Sequence, residues 1–276
     1  MKKGVRKAIA ASILVLTLAG TAFGGPRALL LCLPGFPGTP AQAQPYVDKV
    51  LRYLEGKLGW EAGAMKGVYL PDGSAGAARL ASDKPGLALI GPSVYASLHK
   101  KHGMKVVARV EVNGRGEDTY SVVTAANGPT TLAELAGKTI VGAVLSDPRY
   151  VANVLLDAKL KEADLKLVQE NKPLSALRSV ARGKADAAIV DQSVIDHMKE
   201  LDFAGSLRVI YTSPPVSAPA VVVMGEGAKQ ARAVADVLLG MCDRSDGKEL
   251  CQTLTISSIK PATDADYAGL LKRYAR

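Results

Sequence analysis

Residues 87–95 read Leu-Ala-Leu-Ile-Gly-Pro-Ser-Val-Tyr, a short apolar run followed by a Gly-Pro stop and the start of a helical pattern. Four apolar residues that end at such a stop are typical of a buried strand. The helix that follows extends to about His102. Strand and helix alternate in the same way along the rest of the chain, which predicts an α/β fold with mostly parallel sheets flanked by helices.

The alternation is interrupted twice, and the interruptions predict two lobes joined by two crossing strands. A Gly-containing turn at 113–116 leads into a strand at 119–124, after which the strand–helix pattern restarts. It predicts a helix over 148–160 and further strands at 139–144, 165–169, 187–190 and 207–211. The proline-rich segment 213–219 then leads the chain back, because such a segment is disfavoured in a central strand. We therefore predict one lobe from residues 25–118 and 217–276 and a second lobe from residues 119–216, with a cleft between them.

The first residues have the pattern of a secretory signal peptide. Four basic residues precede the apolar run 8–19, and no acidic residue occurs before Asp48. An apolar run of this length is short for a membrane span, and small residues follow it. We therefore predict export, with residues 1–24 removed.

A second cleavage site follows Ala41-Gln42-Ala43 and stays open as an alternative. Cleavage there would remove residues 28–33, which have the pattern of a buried strand. Residues 39–42, Thr-Pro-Ala-Gln, also have the spacing of a capping box, which favours a helix start at this point.

The composition and net charge of the chain exclude some classes of protein. The 276 residues are 48% hydrophobic and 22% charged, which is typical of a globular chain and excludes a disordered one. The formal charge is +9, and losing the four basic residues of the signal segment leaves +5. The remaining basic residues are scattered, so no nucleic-acid surface is predicted.

The three cysteines are Cys32, Cys242 and Cys251. In an oxidising compartment, Cys242 and Cys251 are the predicted disulfide pair, because they lie close together in a polar stretch. Two free thiols are the alternative. Cys32 lies among leucines and is predicted to be a buried thiol.

Recognisable catalytic motifs are absent from the sequence: it has no Gly-x-Ser-x-Gly, no phosphate-binding loop of the Walker type and no dinucleotide fingerprint. His99 and His102 are spaced to share a helix face, but the lysines between them indicate a solvated face rather than a metal site. We expect no enzyme activity, no metal and no cofactor.

The loops at strand ends are the candidate binding site, since ligands of open α/β sheets bind at the carboxyl ends of strands and beside helix N-termini. Each loop is equally consistent with a helix cap or a turn. Arg149 could clamp a phosphate or carboxylate with two hydrogen bonds. The residues predicted from these loops are Gly35, Phe36, Ser74, Gly91, Pro92, Ser93, Tyr95, Ser146, Asp147, Arg149, Tyr150 and Asp191.

Six segments resemble, in order, the periplasmic phosphate- and phosphonate-type substrate-binding proteins of ABC transporters. The similarity extends over roughly residues 28–275, and it implies a two-lobed type II periplasmic-binding-protein fold that closes on a small oxyanion. The segments are 87–95, 119–123, 132–139, 183–191, 211–216 and 260–267.

The resemblance adds Tyr120 as a ligand-contacting residue of the crossing strand. It also implies roles for the loop 91–95, for Ser146 as a donor at a helix start, and for Asp191 at the rim. The chain differs from the family at 145–150, Leu-Ser-Asp-Pro-Arg-Tyr, where relatives have a loop rich in Ser and Thr. Asp147 would repel a dianion there unless Arg149 offset its charge.

The leading hypothesis is a monomeric periplasmic protein that captures a small anion and delivers it to an inner-membrane ABC permease. One alternative is an accessory or sensory protein of the same fold with a membrane partner and no role in transport. An enzyme on the same fold is the other alternative.

Overall fold

The computed structural model describes residues 28–36 and 38–276. The predicted signal segment, residues 1–24, lies outside the described residues. Within this part of the chain, strands and helices alternate as predicted, and the α/β class is confirmed.

The strands belong to two large sheets and one small ribbon. They are β1 (Ala28–Cys32), β2 (Lys66–Leu70), β3 (Leu87–Ile90), β4 (Lys105–Val112), β5 (Glu117–Asp118), β6 (Tyr120–Ala125), β7 (Thr139–Gly142), β8 (Lys166–Gln169), β9 (Ala187–Asp191), β10 (Leu207–Thr212), β11 (Val216–Ser217), β12 (Ala220–Val223) and β13 (Ile256–Pro261).

The α-helices pack against the two large sheets. They are α1 (Pro40–Leu58), α2 (Gly73–Asp83), α3 (Pro92–His102), α4 (Pro148–Tyr150), α5 (Pro173–Ala181), α6 (Gln192–Met198), α7 (Ala231–Leu239), α8 (Ser245–Thr253) and α9 (Ala268–Tyr274). A π-helix covers Val151–Leu155, and 3₁₀ turns cover Ala133–Leu135, Glu162–Asp164, Ala204–Ser206, Gly225–Gln230 and Asp264–Tyr267.

The first sheet has the order β13-β4-β12-β3-β1-β2, and the second has the order β10-β6-β9-β7-β8. Strands β2, β1 and β3 are parallel, as are β8, β7 and β9. Strands β4, β12 and β13 of the first sheet pair antiparallel, as do β6 and β10 of the second. Both sheets are therefore mixed: β12 and β13 run opposite to the other four strands of the first sheet, and β6 runs opposite to the other four strands of the second.

Two short strands connect the sheets. β5 leads from the first sheet to the second, β11 leads back, and the two pair antiparallel through Val216–Asp118 and Ser217–Glu117. The fold therefore has the two lobes and two crossing strands that the sequence predicts. Lobe one here denotes the first sheet with its helices, and lobe two denotes the second.

Helix α1 begins where its capping box predicts. The Thr39 hydroxyl accepts a hydrogen bond from the Gln42 N–H, and the Gln42 side chain accepts one from the Thr39 N–H. This exchange satisfies two N–H groups that a helix start otherwise leaves unpaired. Helix α1 then buries Val47, Leu51 and Leu54 against the first sheet.

The apolar core follows the period-two alternation of the strands. In β1, Leu30 and Cys32 belong to one cluster, whereas Leu29 belongs to the cluster on the opposite face. The cluster of Leu30 and Cys32 continues into lobe two, where it includes Ile140 and Tyr150. The two lobes therefore share a continuous apolar contact.

Two regions differ from the expected elements. The helix expected over 148–160 is only the short α4 and the π-helix, and the chain turns at Asp157 and Ala158 with positive φ. Strand β13 and helix α8 were not expected, because polar and apolar residues are mixed in 245–261 without a clear period.

The predicted disulfide is confirmed: Cys242 and Cys251 are bonded. Cys32 is free and buried. Burial, and to a lesser extent Asp72, raises the pKa of the Cys32 thiol to about 12, so it is a protonated apolar side chain at neutral pH.

Candidate functional site

A cavity of about 250 Å³ lies between the two sheets, where the carboxyl ends of β1, β7 and β9 meet. Its walls come from both lobes and from the crossing segment. They are formed by Pro34, Gly35, Phe36, Val112, Asn113, Arg115, Asp118, Tyr120, Ala143, Val144, Pro173, Ile189, Val190, Asp191, Ser193 and Thr255. The position is the one at which open α/β sheets bind ligands.

The lobes touch on both sides of this region. Gly35 has φ of +91°, and a Cβ atom there would lie 2.9 Å from Cγ1 of Val144. A Cβ at Gly73 would lie 2.7 Å from Oγ of Ser146. Position 35 favours glycine because of both its positive φ and the contact with Val144, whereas a side chain at Gly73 would require the Ser146 hydroxyl to rotate away.

Charged groups are concentrated on one wall of the cavity. Asp118 and Asp191 line it, and Arg115 faces it from the crossing turn. Burial raises the pKa of Asp118, and the neighbouring Asp191 raises it further. The Arg115 guanidinium lies 2.5 Å from a carboxylate oxygen of Asp196 on α6, so this ion pair also joins the two lobes.

Asp191 is also the N-cap of α6. One oxygen of its carboxylate accepts hydrogen bonds from the Val194 N–H at 3.1 Å and the Ser193 hydroxyl at 2.5 Å. Tyr120 begins the neighbouring strand, and burial together with Asp118 and Asp191 raises the pKa of its hydroxyl. The tyrosine is therefore a neutral hydrogen-bonding group at the cavity.

Four of the residues predicted from the sequence line this cavity: Gly35, Phe36, Tyr120 and Asp191. They come from the end of β1, the start of β6, which is the first strand of lobe two, and the end of β9. The remaining predicted residues lie elsewhere.

The loop at 91–95 belongs to lobe one and does not line the cavity. The Gly91 N–H donates to the Cys32 carbonyl at 2.8 Å, and Pro92 occupies the first turn of α3. Ser93 is buried in the same turn. The Tyr95 hydroxyl donates to Asp264 at 3.0 Å, and its ring packs on Tyr267. Tyr95 is therefore a core residue.

The remaining lobe-one residue, Ser74, is exposed on the first turn of α2. In lobe two, Ser146 approaches Gly73 across the cleft rather than lining the cavity. The lobe contact beside α2 is therefore formed by Gly73 and Ser146.

Residues 147–150 serve the fold rather than the cavity. The Asp147 carboxylate caps α4 by accepting from the Tyr150 N–H, and it also accepts from the Tyr274 hydroxyl. Arg149 is exposed and lies 3.9 Å from Glu162. Tyr150 is buried in the core shared by the lobes. The expected anion clamp at Arg149 is therefore not at the cavity.

The sequence analysis missed most of the polar wall. Asn113 and Arg115 were predicted only as part of a turn, and Asp118 only as the last residue of the first segment of lobe one. Ser193 adjoins the predicted Asp191. The signal that could have found Asn113, Arg115 and Asp118 is their position beside the first place where the chain changes lobe, and Ser193 lies just after the end of β9. Among the described residues, no group of three or more His, Cys, Asp or Glu side chains is arranged to hold a metal ion.

The family model for periplasmic phosphonate substrate-binding proteins of ABC transporters matches residues 38–267. The chain belongs to this family. The match includes the two crossings and most of the cavity wall. The family is one of substrate-binding proteins that work with ABC importers. No curated protein matches the chain by sequence.

Solved structures share the fold at low sequence identity. XAC2383 from Xanthomonas citri, solved with ATP, is 13% identical with a TM-score of 0.70, over 90% of this chain and 96% of that one. PhnD1 from Prochlorococcus marinus, solved with methylphosphonate, is 13% identical with a TM-score of 0.64, over 90% and 97%. The aliphatic sulphonate binding protein SsuA from Escherichia coli is 15% identical with a TM-score of 0.55, over 91% and 91%.

Within residues 28–36 and 38–276, no helix has the length and apolar character needed to cross a bilayer.

Proposed function

We propose that this protein captures a small phosphonate-like anion in the 250 Å³ cavity and delivers it, chemically unchanged, to an inner-membrane ABC permease. The observation that carries the proposal is the cavity itself, which both lobes and the crossing segment line at the carboxyl ends of three strands. A ligand there would contact both lobes at once, so its binding would favour the closed arrangement of the lobes.

The charges of the wall restrict the ligand. Arg115 and Asn113 can donate hydrogen bonds to an oxyanion, and the Tyr120 hydroxyl can do the same. Asp118 and Asp191 would repel a dianion but can accept a hydrogen bond from a protonated ligand oxygen. A phosphonate that carries one negative charge and one P–OH group matches both sets of groups.

Calorimetric titration tests the proposal with methylphosphonate, phosphate, sulfate and acetate. We expect methylphosphonate to bind and Arg115→Gln to weaken that binding about tenfold or more, because a hydrogen bond to a charged group contributes about 1.5–3 kcal/mol. Arg149→Gln is the matched control and should leave affinity unchanged, since Arg149 is exposed outside the cavity. No heat with any of the four anions, or a loss of affinity only in the Arg149 variant, would contradict the proposed site.

A transport role requires that loss of the protein stops uptake. We propose that the mature protein acts as a monomer with its permease, and that cells lacking it lose uptake of labelled methylphosphonate. Uptake that persists while the purified protein still binds the ligand would favour the sensory alternative. Light scattering of the purified protein measures its oligomeric state.

We also propose that residues 1–24 are a signal peptide, with lobe one formed by 25–118 and 217–276 and lobe two by 119–216. The position of β1, between β3 and β2, supports the early cleavage site, because cleavage after residue 43 would remove this interior strand. The intact mass of the protein recovered from the periplasm distinguishes the two sites.

A further inference from the structure

A second cavity, larger and almost entirely apolar, lies inside lobe one. Its volume is about 580 Å³, and it lies between α1 and the face of the first sheet that carries Leu29, Leu31 and Leu33. From α1 it is lined by Ala43 and Val50. A volume of this size is within the range of small-molecule sites, which are mostly apolar.

Two half-buried leucines show that the side chains of residues 28–36 and 38–276 leave this space unfilled. Leu31 and Leu89 point toward the helix-covered face, yet both are only half-buried and line the cavity. Core side chains normally pack to crystal-like density and leave few voids larger than a water molecule. The residual exposure of these leucines is therefore apolar surface that a ligand could cover.

The two cavities share part of their wall. Phe36, Val112 and Thr255 line both the 250 Å³ polar cavity and the 580 Å³ apolar one. Phe36 follows Gly35, and its carbonyl accepts a hydrogen bond from Tyr69, a residue of the apolar cavity, at 2.9 Å. A molecule seated in the polar cavity is thus separated from the apolar one by a few side chains.

We infer that the two cavities form one site for an amphiphile, an aliphatic phosphonate whose head group binds between the lobes and whose hydrocarbon tail enters lobe one past Phe36. This inference rests on the proposed function for the head group. The polar cavity supplies the charged and hydrogen-bonding groups, and the apolar cavity supplies the surface for the tail. Burying a methylene group contributes about 0.8 kcal/mol, so affinity should depend on chain length.

A chain-length series tests the inference. The dissociation constants of methyl-, butyl-, hexyl- and octylphosphonate are measured by calorimetry with the protein purified from the periplasm. We expect affinity to rise about fourfold for each methylene, and at least about a hundredfold from methyl to octyl. If the tail were exposed to solvent, affinity would not rise with chain length.

Variants that fill the apolar cavity supply the control. Ala43→Phe places a ring in the cavity, whereas Ala41→Phe makes the same change at an exposed position of α1. We expect A43F to keep methylphosphonate affinity and to lose the gain with chain length, and A41F to keep both. Val50→Phe, seven residues along the same helix and also in the lining, repeats the test if A43F does not fold.

The outcomes separate the two proposals. If methylphosphonate binds but longer chains bind no better, the inference fails and the proposed function stands. Tail-dependent binding that is equal in A43F and A41F also overturns the inference, because the tail then lies elsewhere. If neither methyl- nor octylphosphonate binds, both fail.

Discussion

Asp118 is an acidic residue of the cavity whose ionisation lowers the stability of the fold. It lies in the crossing strand β5, accepts a hydrogen bond from the Thr119 N–H at 2.8 Å, and lies near Asp191 on the same wall of the cavity. Burial and the like charge both disfavour its ionised form, so its pKa is raised above the ordinary 3.8. The repulsion between Asp118 and Asp191 lowers the stability of the fold. Acidic groups perturbed in this way are typical of functional sites, which is consistent with a role in binding.

The raised pKa of Asp118 gives a prediction for stability. The folded protein holds this proton more tightly than the unfolded chain, so the residue destabilises the fold as pH rises from 3.8 through the raised pKa. Asp118→Asn should therefore raise the melting temperature at pH 7, by about 2–4 °C for each kcal/mol relieved. The gain should shrink as pH falls toward 3.8.

Thermal melts from pH 3.5 to 8 measure this effect. Asp202→Asn, at an exposed position, is the control and should show little change. A D118N variant that is less stable than the parent at pH 7 would contradict the predicted cost.

Single residues also show where sequence analysis reaches its limit. Tyr95, Arg149 and Tyr150 each follow a strand-end loop, as a ligand-contacting residue would. Whether such a side chain points into the cleft depends on what packs against it from distant parts of the chain. Tyr95 is held by Asp264, and Arg149 lies beside Glu162. Neither partner can be identified from the local pattern.

At the level of elements, prediction succeeded where the signal is local. The α1 capping box, the helix start after Gly91 and the strands of lobe two are encoded by neighbouring residues. The helix expected over 148–160 was wrong in its second half. Residues 151–156 are nearly all buried, and the chain then turns at Asp157, whose carboxylate is bound by Arg276. A contact 119 residues away cannot be inferred from helical periodicity.

The disulfide joins two elements, and its removal is a prediction at this scale. Cys242 follows α7 and Cys251 lies in α8, with a sequence separation of nine. The chain-entropy model gives about 2–3 kcal/mol for a loop of about this size. Cys242→Ser with Cys251→Ser should therefore lower the melting temperature by roughly 5–10 °C.

Reduction supplies the control for the disulfide. In dithiothreitol the parent protein should melt at the temperature of the double variant, because both then lack the bond. If the parent melts at the same temperature with and without reductant, the bond does not stabilise the fold.

For the whole molecule, the C-terminal residues tie the lobes together. Helix α9 packs against both α3 of lobe one and the π-helix of lobe two. The Tyr274 hydroxyl donates to Asp147 at 3.0 Å, the Asn153 side chain donates to the Tyr274 carbonyl, and Arg273 donates to the Pro215 carbonyl. These bonds cross from the last helix to lobe two and to the returning segment.

Removing one of these bonds should shift the balance between open and closed lobes. Tyr274→Phe loses the hydrogen bond to the Asp147 carboxylate, which contributes about 1.5–3 kcal/mol. We expect a larger radius of gyration for the ligand-free variant by small-angle X-ray scattering, and a return to the parent value when ligand is bound. Burial and Asp147 raise the pKa of Tyr274 to about 12, so the bond should persist throughout the neutral range.

Tyr46→Phe, at an exposed position of α1, is the matched control and should scatter like the parent. An unchanged radius in Tyr274→Phe would show that the shared apolar core, rather than this bond, holds the lobes together.

The interleaved path of the chain sets an order for folding. Every strand of the second sheet comes from the continuous stretch 120–212, so lobe two can assemble as soon as that stretch is available to fold. In the first sheet, β4 pairs with β12 and β13, which lie near the end of the chain. Lobe one is therefore completed only after nearly the whole polypeptide is available to fold, and until then both edges of β4 are unpaired and would need to be shielded by a chaperone.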